Sequence, residues 1–87
     1  MKIKNCPFCH SLLKNYTCQA NGHWFSNCFP ILIFRFSQEY IIFNFINKII
    51  NIKNEFGKPK YTLPWFEPDL DNINNSLKKI NKIKAFL

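Results

Sequence analysis

The clearest stretch of patterned residues runs from Ile31 to Phe36, where every position except Arg35 is apolar and most are β-branched or aromatic, as a buried strand requires. Glu39 to Lys53 reads two ways. Ile42, Phe45, Ile46 and Ile49 fall at helical spacing with Asn44, Asn47, Lys48 and Asn51 opposite them, yet Ile, Phe and Asn are all indifferent helix formers. With Asn47-Lys48 as a turn, the same residues make two strands, Tyr40–Ile46 and Ile49–Lys53, and we favour this reading. Upstream, Asn21-Gly22 favours positive φ and predicts a hairpin from Ser11–Thr17 back through His23–Cys28. Pro30 has no N–H to donate, so it belongs at a strand start, an edge or a bulge.

Gly57, Pro59, Pro64 and Pro68 mark residues 54–68 as a connection, with Trp65 and Phe66 tucked against the sheet to pin it. A helix is predicted over 69–86. Asp69 or Asp71 caps it, Ile73, Leu77, Ile80, Ile83 and Leu87 form its apolar stripe, and Lys78, Lys79, Lys82 and Lys84 lie towards its C-terminal end. The expectation is a single α+β domain over 1–87: a hairpin over 1–28, a sheet over 29–53, the connection and the helix. The antiparallel sheet has three to five strands and the C-terminal helix packs on it.

At 87 residues and 10.4 kDa the chain has room for one small core. Such a core rarely supplies more than ~3–5 kcal/mol without a staple. The apolar runs Phe29 to Phe34 and Tyr40 to Phe43 fall far short of the ~20 residues of a membrane-spanning helix. Before Cys6 stands only Met1-Lys2-Ile3-Lys4-Asn5, with no apolar signal segment, so the expected setting is the reducing cytoplasm and disulfides are disfavoured. The net charge of +7 invites a nucleic-acid partner. Lys, Asn, Ile and Phe, all with A/T-rich codons, make up about half of the chain, and codon composition alone accounts for much of that charge.

The staple is visible in Cys6-Pro7-Phe8-Cys9, followed by Cys18 and His23. Two cysteines separated by two residues bend a turn that faces both thiolates to one ion, and a further Cys/His pair closes a tetrahedron. Cys6, Cys9, Cys18 and His23 are therefore the candidate ligands of a structural zinc ion, with Cys28 as the alternate ligand. The sets Cys6/Cys9/His23/Cys28 and Cys6/Cys9/Cys18/Cys28 also fit the spacing. The first set is preferred because Cys18 and His23 flank a short turn, whereas Cys28 lies well along a strand and reads as a small buried hydrophobe. His10 directly follows Cys9 and is read as solvated or as a neighbour of the site, because adjacent residues rarely point at one ion. A redox dithiol at Cys6/Cys9 would call for a βαβ pattern, which is missing.

Other chemistry is thin. The acids Glu67, Asp69 and Asp71 fit helix capping better than a carboxylate site, and with Gly22 and Gly57 as the sole glycines there is no phosphate-cradling loop. No nucleophile stands at a diagnostic distance from a base, so an enzyme is not expected.

From Cys6 to His23 the chain resembles a zinc ribbon or zinc-knuckle protein, whose CPxC-type turns present the metal ligands. It departs from that pattern in having Cys-x4-His in place of the second Cys-x2-Cys, and His10 where ribbons often carry glycine. The layout as a whole also looks like small bacteriophage-encoded proteins from A/T-rich genomes, a likeness that implies a host-cytoplasmic setting, carries over no activity and weighs against an enzyme. The functional expectation is a structural-zinc adaptor or modulator that contacts a protein partner. The alternative is nucleic-acid binding through Lys58, Lys60, Lys78, Lys79, Lys82 and Lys84, and a thiol redox or zinc-dependent enzyme ranks third.

Overall fold

The computed structural model describes residues 4–20, 23–36 and 38–86. Six antiparallel strands, β1 (Thr17–Ala20), β2 (His23–Cys28), β3 (Ile31–Phe36), β4 (Glu39–Asn44), β5 (Ile49–Asn54) and β6 (Pro59–Leu63), lie side by side in chain order, and helix α1 (Ile73–Lys84) follows. Six strands correct the expected three to five. The one addition is the edge strand β6, and the other edge strand, β1, is displaced from its expected place. β1 is four residues long with no apolar alternation, and it replaces the strand expected at Ser11–Thr17, where only the isolated pairings Asn5–Leu12 and Lys14–Thr17 occur. β6 lies inside the segment read as a connection, and it tolerates Pro59 because that residue opens an edge strand.

The stretch Glu39–Lys53 forms two strands and no helix. Two asparagines build the turns on either side of β5: Asn44 Oδ1 accepts from the N–H groups of Ile46 and Asn47, and Asn54 Oδ1 accepts from those of Phe56 and Lys58. Lys48 (φ 53°) and Gly57 (φ 81°) supply the left-handed residue that each tight return needs. Asn21-Gly22 lies outside the described residues.

Antiparallel register puts paired residues on one face. Phe25, Phe34, Ile41 and Ile52 are successive partners across β2–β5, and Asn27, Leu32, Phe43, Ile50 and Leu63 are successive partners across β2–β6; all are buried. Over this face lie the 64–70 segment and α1. Phe43 meets Trp65 and Phe66 edge-on with centroids 5.9 and 5.5 Å away, as expected for residues pinning a connection. Ile73 and Ile80 enter the core, and Leu77 and Ile83 flank it; Leu87 lies outside the described residues. The N-cap is Asn72, not Asp69 or Asp71, with its side chain accepting from the Asn74 N–H. Asp69 organises the preceding turn, accepting from the N–H groups of Asp71 and Asn72 while its own N–H donates to the buried Ser76 hydroxyl. Among the described residues no helix is long and apolar enough to cross a membrane.

Candidate metal centre

The loop before the sheet supplies two donors and the sheet itself the other two. In the Cys6–Cys9 turn the Cys6 N–H donates to the Ser11 carbonyl and the His10 N–H to the Cys6 carbonyl, each at 2.8 Å. His10 sits at φ 64°, which lets the chain double back with both thiols on one side. The Phe8 N–H approaches Cys6 Sγ at 3.4 Å. Ser11 does the same for Cys9 through its hydroxyl and its N–H. Each sulfur is thus met by the amide two residues on, which stabilises a thiolate.

Cys18 on β1 is the registered partner of Phe25, and His23 stands two residues before Phe25 on β2, so both project from the core face at one corner of the sheet. The four donor atoms of Cys6, Cys9, Cys18 and His23 all lie within 4.8 Å of one another, an arrangement that could hold a metal ion. His23 Nε2 is 3.5 Å from Cys6 Sγ and 3.6 Å from Cys18 Sγ, and Cys9 Sγ is 3.7 Å from Cys18 Sγ. These sulfurs are far from the ~2.05 Å of a disulfide, and all four cysteines are free. Phe8 keys the cluster to the core: its ring stacks on His23 at 5.0 Å and leans on Phe34 at 6.0 Å.

The cysteines differ in proton affinity. Hydrogen bonds from the Ser11 hydroxyl and amide pull Cys9 down to about 6. Burial, and then the neighbouring sulfurs of Cys9 and Cys6, push Cys18 up to about 12. Without a cation the cluster accommodates one thiolate readily and resists more; a divalent ion reverses that preference.

The other candidates stand apart. Cys28 is exposed at the far end of β2, and its odd separation from His23 turns it to the opposite face of the sheet. His10 is exposed and outside the cluster. Of the lysines proposed for nucleic acid, Lys60 and Lys84 both bind Glu39, at 2.7 and 2.8 Å, and Lys79 lies over the Phe66 ring. Lys58, Lys78 and Lys82 are exposed. Sequence reasoning missed Ser11 and the clamping role of Phe8; the cue for Ser11 is its place two residues after Cys9, as Phe8 stands to Cys6.

The chain matches no family model, no curated protein and no solved structure. The likeness to zinc-knuckle proteins therefore rests on the four clustered residues alone.

Proposed function

We propose that this chain is a small binding module clasped by a structural zinc ion, and not an enzyme. The carrying observation is the convergence of four donor atoms within 4.8 Å of one another, three of whose six separations are close to zinc-site edges. Bonds of ~2.3 Å to sulfur and ~2.05 Å to nitrogen give a zinc tetrahedron S···S edges of about 3.8 Å and S···N edges of about 3.6 Å. The separations of 3.7, 3.5 and 3.6 Å match those edges. Three thiolates and an imidazole suit zinc and are poor partners for magnesium or calcium. Four protein donors fill the tetrahedron and leave no position for a substrate or an activated water.

The remaining acids support the same reading. The shallow cleft between the β3–β4 and β5–β6 turns contains Glu39 and Glu55. Glu39 is held by Lys60 and Lys84 and Glu55 lies 4.0 Å from Arg35, so neither is an unpaired base. Contact with a protein partner is supported by exposed Phe29 and Ile46 beside Phe45 at one end of the sheet. The lysines proposed for nucleic acid give less support, since Lys60 on β6 and Lys84 on α1 share the Glu39 carboxylate, which offsets one of their two charges.

The test is metal content by elemental analysis of protein purified without chelator, for wild type and for Cys6→Ser, Cys18→Ser, His23→Ala and Cys28→Ser. One zinc per chain is expected, lost in the first three variants and kept in the fourth. No zinc in the wild type, or its loss in Cys28→Ser with retention in His23→Ala, would overturn the ligand set.

A further inference from the structure

The sheet has one covered face and one open face. Every fully buried strand residue belongs to the face under α1, whereas on the opposite face no described side chain is fully buried. Across that open face runs a row in which each residue is the registered partner of the next: Gln19 on β1, Trp24 on β2, Arg35 on β3, Tyr40 on β4 and Lys53 on β5. Aromatic rings and cations alternate along its last four members, Trp24 to Lys53. The Arg35 guanidinium lies 5.5 Å from the Tyr40 ring centroid, and the Trp24 and Tyr40 rings meet edge-on at 6.3 Å. The nearest described acid to Arg35 is Glu55, in a loose 4.0 Å pair that is exposed on both sides. Such a pair contributes little and yields to a stronger anion.

We propose that this open face binds single-stranded nucleic acid, with Trp24 and Tyr40 stacking on unpaired bases and Arg35 and Lys53 contacting phosphates. The inference rests on the reading of the chain as a binding module, and it moves any nucleic-acid contact from the helix lysines to the far side of the sheet. Its chemistry is that of sequence-tolerant single-strand binders, in which cations follow the backbone and flat rings take the bases. The four inter-strand steps from Gln19 to Lys53 span roughly 19 Å at ~4.8 Å each, enough for about five nucleotides stacked at ~3.4 Å. The charge of +7 draws a polyanion towards the whole molecule.

A second copy of the chain fits this face poorly. Six strands of about six residues offer roughly 24 by 20 Å, below the ~800 Å² per partner of a stable interface. A two-fold pairing would also bring two copies each of Arg35 and Lys53 into one desolvated interface with no acid among the five residues of the row. A duplex, for its part, hides the base faces that Trp24 and Tyr40 would stack upon.

The test is titration of the zinc-loaded full chain with a fluorescent oligothymidylate at several salt concentrations. In a Trp65→Phe background Trp24 is the sole tryptophan, and its emission should be quenched on binding. Trp24→Ala should weaken binding about tenfold or more, with Trp24→Phe restoring most of it. Arg35→Gln and Lys53→Gln should each lower the slope of log affinity against log salt by about 0.7. Lys78→Gln and Lys82→Gln remove the same charge from the helix and should change affinity less than about twofold.

Equal losses from the helix and sheet variants, or duplex DNA bound as tightly as the single strand, would overturn the proposal. So would the absence of binding by a chain that carries one zinc; that result would leave the module reading intact with a protein as its partner. A chain without zinc would instead remove the module reading itself.

Discussion

Residues 4–16 and the body of the sheet are held by different means. In the first region Cys6 is the one fully buried side chain, and three non-glycine residues, His10, Asn15 and Tyr16, have positive φ. In the second, Phe25, Leu32, Phe34, Phe43, Ile50 and Ile52 are all 0 % exposed in one continuous core. A segment with so little apolar burial and such an irregular backbone does not hold itself in place. Four donors converging on one point can hold it; an apolar core needs no such point. On the proposed reading, stability is divided by mechanism, with metal coordination fixing the corner that Cys6, Cys9, Cys18 and His23 form and apolar burial holding the sheet.

Metal removal should separate the two most sharply. Structural zinc can contribute on the order of 10–16 kcal/mol of binding free energy that appears as folding free energy. Chelation, or Cys6→Ser, should therefore release residues 4–20 to proteolysis and rapid amide exchange while the amides of β3–β5 stay protected. Loss of protection throughout would show that the two regions form one cooperative unit. Acid should make the same separation, because protons compete for the thiolates. Metal affinity is expected to fall with decreasing pH and to fall more steeply below about 6, where Cys9 also gains its proton, as zinc release followed by a colorimetric chelator would show.

Phe43→Ala acts on the other side of the comparison. Its ring touches Phe34, Trp65 and Phe66, and deleting it should cost about 3–5 kcal/mol in urea unfolding. Zinc per folded chain should stay at one; zinc loss in this variant would break the division.

A smaller effect is expected at Glu39. Burial alone would raise its carboxyl, but the hydrogen bonds from Lys60 and Lys84 outweigh burial and hold it below the ordinary 4.5. A depressed acid contributes stability above its unfolded value and loses that contribution as pH falls through the folded one. Glu39→Gln should thus cost about 1–2 kcal/mol at neutral pH and flatten the decline of stability below pH 4.5, measured by denaturant titration across pH. Smallest is Asn72→Ala, which removes the helix cap for about 1 kcal/mol and should leave both zinc content and the sheet unchanged, as circular dichroism during urea unfolding would report.

How much of this was legible in the sequence follows the same division. β3 reads directly as Ile31–Phe36 because its composition and burial coincide. The convergence of Cys6, Cys9, Cys18 and His23 was legible because thiols and imidazoles at short spacing have few competing explanations. The edge strands were not. Thr17–Ala20 carries no apolar period, and in Pro59–Leu63 only Tyr61 and Leu63 face the core, behind Gly57 and Pro59 that punctuate like a loop. The cap was misplaced because Asp69 and Asn72 suit the role equally by type, and what decides between them is the Asp69 turn tied to Ser76, a contact between residues seven apart. The open row escaped notice because its members are scattered over five strands and become neighbours only once the register is known.

The chain-order arrangement of the strands carries one more consequence. Every hairpin joins neighbours in sequence, and all four donors occur by residue 23, ahead of most of the core. A nascent chain leaving the ribosome therefore presents Cys6, Cys9, Cys18 and His23 before strands β3 to β6. Each later strand then arrives at an edge already waiting for it, so that order of synthesis and order of assembly coincide.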